Sequence, residues 1–324
     1  MKELLITGGL GFVGSYTIEK FKEDGNYNIT IIDNLSSNVI DPADDIAEGC
    51  TVMVQDILKY DWNDSQKFDM IIHLASPVGP VGILKHAGNM GRMIIDELYW
   101  SMEGALKFDC PLIFISTSEI YGFRDHLAFL KEDDNKMLVG TFKVRNEYSM
   151  GKLLAEIILS NTAKVKTKLK YHIVRPFNIS GPRQLKAGGF VLPTFFDQAF
   201  KSEPITVYLD GEQVRAFTHV KDIVKGIYLL VQEKVPYNQI WNIGTRGNNV
   251  SIKELATMIK EKTKSKSEII YVNPKDLHGA LYEEAWDKVP DSSKIVAELG
   301  WNPEYELQDV IDEMYQYYMK KENL

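Results

Sequence analysis

The sequence predicts an α/β fold, a doubly wound parallel sheet with a smaller C-terminal α/β lobe. Three observations carry that prediction. The short apolar run Leu4-Leu5-Ile6-Thr7 is followed at once by a glycine-rich turn and a helical pattern. A second, β-branched run, Ile29-Thr30-Ile31-Ile32, ends in Asp33. Strand-like and helix-like stretches then alternate through the first half of the chain, as they do where parallel strands are joined by crossover helices.

Apolar runs place strands at 3–7, 28–33, 51–55, 69–74, 112–117 and 169–175, and helical patterns fall near 12–24, 88–108 and 146–163. After Arg175 the pattern breaks up. Gly181-Pro182, Gly188-Gly189, Pro193, Pro204 and Asp210-Gly211 punctuate short segments. Helices return near 191–201, 220–232, 251–262 and 306–322, and Gln239-Ile240-Trp241 is one more short apolar run, ending at Asn242. The expected division is a dinucleotide-binding unit over 1–175 and a substrate lobe over 176–324, with some segments of the latter returning to the first core.

The turn after the first strand reads Gly8-Gly9-Leu10-Gly11-Phe12-Val13-Gly14. Glycines there allow a tight turn, a close backbone approach to a pyrophosphate and close helix–strand packing, with the helix N-terminus facing the phosphate charge. Such turns also occur without any ligand, so the next strand matters. Asp33 stands about 20 residues past the last glycine, where a carboxylate accepts hydrogen bonds from an adenosine ribose and repels a 2′-phosphate. A carboxylate that only opens the polar loop Asn34-Leu35-Ser36-Ser37-Asn38 is the plainer alternative. No arginine adjoins Asp33, so the expected cofactor is NAD and not NADP.

With 324 residues the chain has room for both units. The N-terminus runs straight into a core strand, so no signal peptide is expected, and no apolar run approaches the roughly 20 residues of a membrane span. Cys50 and Cys110 are too few for a disulfide framework and badly spaced for a metal site, which points to a reducing cytoplasm and no metal. The net charge of −8 argues against nucleic acid as a partner. A small anionic substrate remains open if arginines gather locally.

Tyr148 and Lys152 lie four residues apart in Tyr148-Ser149-Met150-Gly151-Lys152 and share a helix face. A lysine lowers a neighbouring phenol's pKa, as does the positive ring of an oxidised nicotinamide, and the phenolate then takes a proton from a substrate alcohol while hydride leaves. The spacing alone is weak, because a surface contact is the usual meaning of such a pair. Its position one strand after Ile113-Phe114-Ile115-Ser116-Thr117 makes it informative. The polar end of that strand belongs at the edge where ligands of open parallel sheets bind, and Thr117 can bond the same hydroxyl. His73 reads as a core histidine.

In order along the chain stand Thr7 to Gly14, Asp33-Asn34, His73-Leu74-Ala75, Tyr148-x-x-x-Lys152, Arg175-Pro176-Phe177-Asn178, Gly181-Pro182-Arg183 and Trp241-Asn242-Ile243-Gly244. As a set these resemble the extended short-chain dehydrogenase/reductases that act on nucleoside-diphosphate sugars, over nearly the whole chain. The resemblance implies a tightly held NAD that oxidises the sugar at C4, a further step on the 4-keto sugar, and in most members a returning hydride. It implies cofactor binding by Gly8, Gly11, Phe12, Val13, Asp33, Asn34, Asp56, Ile57, Leu74, Ala75, Tyr148, Lys152 and Pro176, Asp56-Ile57 flanking adenine. Substrate binding falls to Ser118, Asn178, Val191 and Arg215, with Asn178 and Arg215 near the diphosphate. It also implies a homodimer, formed by the helices near 88–108 and 146–163 through Met150, Leu154, Ile157 and Ile158. From the residues alone, Arg215 is equally readable as a solvated arginine and Asn178 as a turn former.

The net reaction hangs on Ser116-Thr117-Ser118-Glu119-Ile120-Tyr121-Gly122. The sugar 4,6-dehydratases usually show Asp-Glu after the threonine, and here the first is Ser118. UDP-galactose 4-epimerases usually have no carboxylate at that place. Thr117-Ser118-Glu119 most resembles the UDP-glucuronic acid decarboxylases, and Arg145, three residues before Tyr148, fits that branch. The catalytic candidates are therefore Thr117, Glu119, Tyr148 and Lys152, Glu119 as a base for a sugar hydroxyl or for a carbon beside the ketone. Two stretches depart from the family's pattern. Pro77-Val78-Gly79-Pro80-Val81-Gly82-Ile83 is unusually rich in glycine and proline, and Asp96-Glu97-Leu98-Tyr99-Trp100 replaces an expected Asn-x-x-Gly-Thr. Epimerisation through a 4-keto intermediate is the leading expectation. Decarboxylation of a uronic acid and 4-dehydrogenation of an unusual sugar such as a heptose are close rivals. An NADP-dependent ketone reductase and a non-catalytic NAD-binding regulator are rivals of other classes.

Overall fold

The computed structural model describes residues 1–64, 66–122, 129–136, 142–232, 235–284 and 288–321. Seven parallel strands form the central sheet: β1 (Lys2–Thr7), β2 (Tyr27–Asp33), β3 (Thr51–Val54), β4 (Met70–His73), β5 (Leu112–Ile115), β6 (Tyr171–Pro176) and β7 (Gln239–Ile243). Their order is β7-β6-β5-β4-β1-β2-β3. The chain winds outward in both directions from β1, with Thr7 beside Ile32 on one side and His73 on the other. Successive side chains point to opposite faces of a strand. Leu5 accordingly joins one core with Ile71, Phe114 and Ile173, while Leu4 and Ile6 join another with Ile31, Ile72 and Val174.

Helices α2 (Met90–Phe108) and α3 (Val144–Val165) pack side by side on the first face, and α1 (Phe12–Asp24) packs with α5 (Val220–Gln232) on the second. A third core lies outside the sheet, where Phe196 of α4 (Val191–Phe200), Leu255 of α6 (Ile252–Thr263) and Val310 of α7 (Leu307–Lys321) meet. Ser251 and Glu254 form a reciprocal capping box at the start of α6. Residue 322, expected as the end of α7, lies outside the described residues.

Two differences from expectation matter for the site. The strand expected over 112–117 stops at Ile115, because Thr117, still extended, turns its hydroxyl to accept from the Glu119 N–H and opens a short 3-10 turn over Ser118–Tyr121. The lobe after residue 176 also carries short paired strands that its sequence does not announce: Ile205–Tyr208 with Ile269–Val272, and Val214–Ala216 with Asn249–Ser251. The latter pair holds Arg215.

Candidate active site

Ligands of an open parallel sheet gather where the winding direction reverses, outside the carboxyl ends of the strands. Here that place is the end of β1 between β2 and β4, and the structure builds a cradle there. Gly8 adopts φ +65°, and a Cβ on it would meet the Ala75 backbone at 2.9 Å. Gly11 caps α1 without any side-chain bond, so the first turn, with Phe12 and Val13, has no side chain competing for its N–H groups. Leu74 N–H donates to the Thr7 carbonyl at 3.2 Å and Ala75 N–H to the Thr7 hydroxyl at 3.2 Å, which holds the β4 loop against the turn.

Asp33 closes the far side. Its two oxygens accept from Leu10 N–H at 3.0 Å and Leu35 N–H at 2.8 Å. Burial pushes its carboxyl up, and the Leu35 and Leu10 N–H groups pull it partly back. Asn34 beside it is exposed. Asp56 accepts from Leu58 N–H at 2.9 Å and starts the turn carrying buried Ile57. These features fit a dinucleotide: neutral N–H donors for a pyrophosphate, a glycine surface that side chains would fill, and a carboxylate with lone pairs to spare.

At the ends of β5 and β6 lies a second cluster. Tyr148 and Lys152 of α3 are both buried. Lys152 donates to the Ile115 carbonyl at 2.9 Å and sits over the Phe114 ring at 4.9 Å. Burial pushes the Tyr148 phenol up to about 12, opposed by a hydrogen bond with Thr117, raised by Glu119 and lowered by Arg145. The expected depressed phenol is thus corrected for the protein alone. The ring is enclosed, and the Lys152 ammonium gives one of its three donors to a backbone carbonyl and is not among the groups that lower the phenol.

Glu119 is held on two sides. Arg145 grips it bidentately, Nε to Oε2 at 2.8 Å and Nη2 to Oε1 at 2.9 Å, and buried Lys288 pairs with Oε1. Burial alone would raise its carboxyl, but Arg145 and then Lys288 outweigh it and hold it well below the usual range. Burial lowers the Lys288 ammonium to about 8 against the pull of Glu119. A carboxylate so held is a weak base.

Lys288 also links the two lobes. Its backbone bridges that of Arg215, whose guanidinium donates to Glu284 at 2.8 Å. Asn178, at φ +32°, donates to the Ala216 carbonyl at 3.3 Å, next to Arg215. Ser118 is buried in the turn with Glu119. Asn178 therefore lies beside the Arg215 strand, and Ser118 lies in the turn whose Glu119 pairs with Lys288. Pro176 ends β6 on the same edge. Val191 begins α4 and packs against the third core. Sequence reasoning missed Lys288, a lone lysine with no motif around it. It also missed Glu97, whose only sign was the departure at 96–100. Among the described residues no group of three or more His, Cys, Asp or Glu could hold a metal ion, and no helix is long and apolar enough to cross a membrane.

UDP-N-acetyl-alpha-D-glucosaminuronate decarboxylase of Bacillus cytotoxicus is 31% identical over 328 residues, covering 99% of each chain. UDP-glucuronic acid decarboxylase 1 of Xenopus tropicalis is 29% identical over 99% of this chain and 73% of its own. Among solved structures, UDP-glucose 4-epimerase of Thermotoga maritima with UDP-glucose superposes at a TM-score of 0.85, with 25% identity over 98% of this chain and 99% of that one. UDP-glucuronic acid 4-epimerase of Bacillus cereus, in complex with UDP-glucuronic acid and NAD, shares the fold at a TM-score of 0.82 and 22% identity, over 98% and 99%. The family profile described as NAD dependent epimerase/dehydratase matches residues 4–244. With that match and that relative, the chain belongs to the NAD dependent epimerase/dehydratase family and is an NAD-dependent enzyme of the nucleotide-sugar epimerase and decarboxylase kind.

Proposed function

We propose that the enzyme oxidises a nucleoside-diphosphate uronic acid at C4 and that the 4-keto sugar then loses carbon dioxide. The observation that carries this reading is the Glu119 clamp. Arg145, Lys288 and Arg215 gather around the two carboxylates of Glu119 and Glu284, one cation more than the anions beside them, which suits a further carboxylate, that of the sugar. The curated decarboxylase relatives support the same reading.

Bound NAD supplies the hydride acceptor, held by the glycine turn, Asp33 and Lys152. Tyr148 takes the proton of the C4 hydroxyl, and Thr117 orients that hydroxyl. With a ketone at C4, the carboxylate on C5 is a β-keto acid. Its C5–C6 bond breaks, the electron pair moves into an enolate at the C4 oxygen, where the Tyr148 O–H stands ready to stabilise it, and a proton from water then adds at C5 to leave a 4-keto pentose. Glu119 fixes Arg145 and Lys288 in place and moves no proton. Asn178 and Arg215 take the diphosphate.

Epimerisation is the second reading, favoured by the likeness to the Thermotoga epimerase. Mass spectrometry of incubations with UDP-, GDP-, CDP- and dTDP-sugars, coupled to chromatography that resolves epimers, separates the outcomes. Loss of carbon dioxide supports the proposal. An unchanged mass with a new epimer supports the second reading. Loss of two hydrogens marks a 4-dehydrogenase and sinks both. Tyr148→Phe is expected to slow the active reaction roughly 10²–10⁴-fold while NAD still binds. Near-normal rates in that variant overturn the role given to Tyr148.

A second copy of the chain is the proposed protein partner. Tyr99, Leu154 and Ile157 stand exposed on α2 and α3, whereas Ile158, expected on the same seam, packs against the protein's own core. Light scattering that shows a monomer at micromolar concentration would count against the dimer. Free Cys50 and Cys110 suit a reducing cytoplasm.

A further inference from the structure

Glu97 lies on the inward stripe of α2, three residues from buried Ile94 and four from buried Ser101. A glutamate on such a stripe needs a reason. Its Oε2 is shielded from solvent and has no hydrogen-bond partner among the described residues. α2 packs so closely along α3 that a Cβ on Gly151 would meet Ile94 at 3.1 Å, and Glu97, one turn on from Ile94, lies within electrostatic reach of Lys152, the neighbour of Gly151. We propose that Glu97 is a positioning residue, the counter-charge that keeps Lys152 in its ammonium form beside Tyr148.

The surroundings of Lys152 leave Glu97 this part. Glu156, one turn along α3, also attracts Lys152, but Arg175 already grips it bidentately and Ser116 donates to it. His73, stacked on Phe114, is pushed down to about 3 by burial and by Lys152, and so carries no charge at working pH. Asp56 and Asp96 face Glu97 with like charge. Burial pushes the Glu97 carboxyl up and Lys152 draws it down. Burial pushes the Lys152 ammonium down, and Glu97, then Glu156, holds it up. Each group thus opposes the desolvation of the other. Without Glu97, the one anion beside the lysine among the described residues would be Glu156, which Arg175 already neutralises.

The pairing does not depend on the reaction proposed above, although its catalytic consequence rests on the Tyr148–Lys152 reading. The test follows the titration of Lys152 by NMR of lysine-labelled protein, alongside the pH–rate profile. Removing the negative charge in Glu97→Gln is expected to lower the Lys152 midpoint by about one unit. Glu97→Asp keeps the charge and is expected to keep the midpoint near that of the unaltered protein. The alkaline limb of the rate profile moves down by a similar amount in Glu97→Gln, with KM for the sugar nucleotide unchanged. An unchanged midpoint in Glu97→Gln overturns the proposal, as does an equal shift in Glu97→Asp. A midpoint that moves while the rate profile stays put upholds the pairing and overturns the Tyr148–Lys152 reading instead.

Discussion

Asp33, the last residue of β2, and Glu119, just past the end of β5, are both buried carboxylates, and their neighbours make them opposites. Asp33 receives only neutral backbone N–H groups, one to each oxygen, and burial lifts its carboxyl. Glu119 receives two cations, which overcome burial and hold it ionised. A carboxylate oxygen offers two lone pairs. Neutral donors leave capacity for the hydroxyls of an incoming ribose. Cations instead exhaust a carboxylate as a base and make it a fixture. On the proposed reading, ligand chemistry belongs to Asp33 itself, but in the other half it belongs to the groups that Glu119 holds.

Glu119→Gln is the harsher test of this contrast. It leaves Arg145 and Lys288 buried with a neutral partner, which should cost about 3–5 kcal/mol of stability at pH 7. Urea unfolding measures the loss. The sign of its pH dependence follows from the depressed carboxyl. The clamp's contribution is fully present above the unfolded value of about 4.3 and is lost as pH falls towards the folded one. The gap between wild type and variant therefore narrows in acid. A variant as stable as wild type at pH 7 would make Glu119 an ordinary surface carboxylate. Asp33→Ala is the milder test. It removes an acceptor for the ribose hydroxyls and the repulsion of a 2′-phosphate. NAD affinity should fall about tenfold or more, while NADP gains relative to it. Calorimetric titration decides, and unmodified protein that binds NADP more tightly than NAD would refute the role given to Asp33.

The halves also differ in how much of them sequence discloses. The glycine turn, Asp33 and the Tyr148–Lys152 pair announce themselves because each rests on local spacing: a turn, a strand end, one helix face. The clamp on Glu119 does not. Arg145 is near enough in sequence to notice, but Lys288 lies 169 residues from Glu119 and beyond residue 244, where the family match ends. Glu97 is legible only as an oddity on a helix, since what it faces depends on how α2 packs against α3. The short strands around Arg215 escape for a related reason. Runs of three or four residues carry too little alternation to stand out from loops.

The backbone bridge between Lys288 and Arg215 has a temporal side. The cradle at β1 is closed by contacts that reach 68 residues, from Thr7 to Ala75, against 169 from Glu119 to Lys288. The cluster around Glu119 waits until a segment near the end of the chain has returned to the sheet, across a loop of the kind that closes slowly. If loop length sets the order, the glycine cradle is expected to form before the Glu119 clamp, and pulse-labelled hydrogen exchange during refolding that finds the clamp protected first would overturn this.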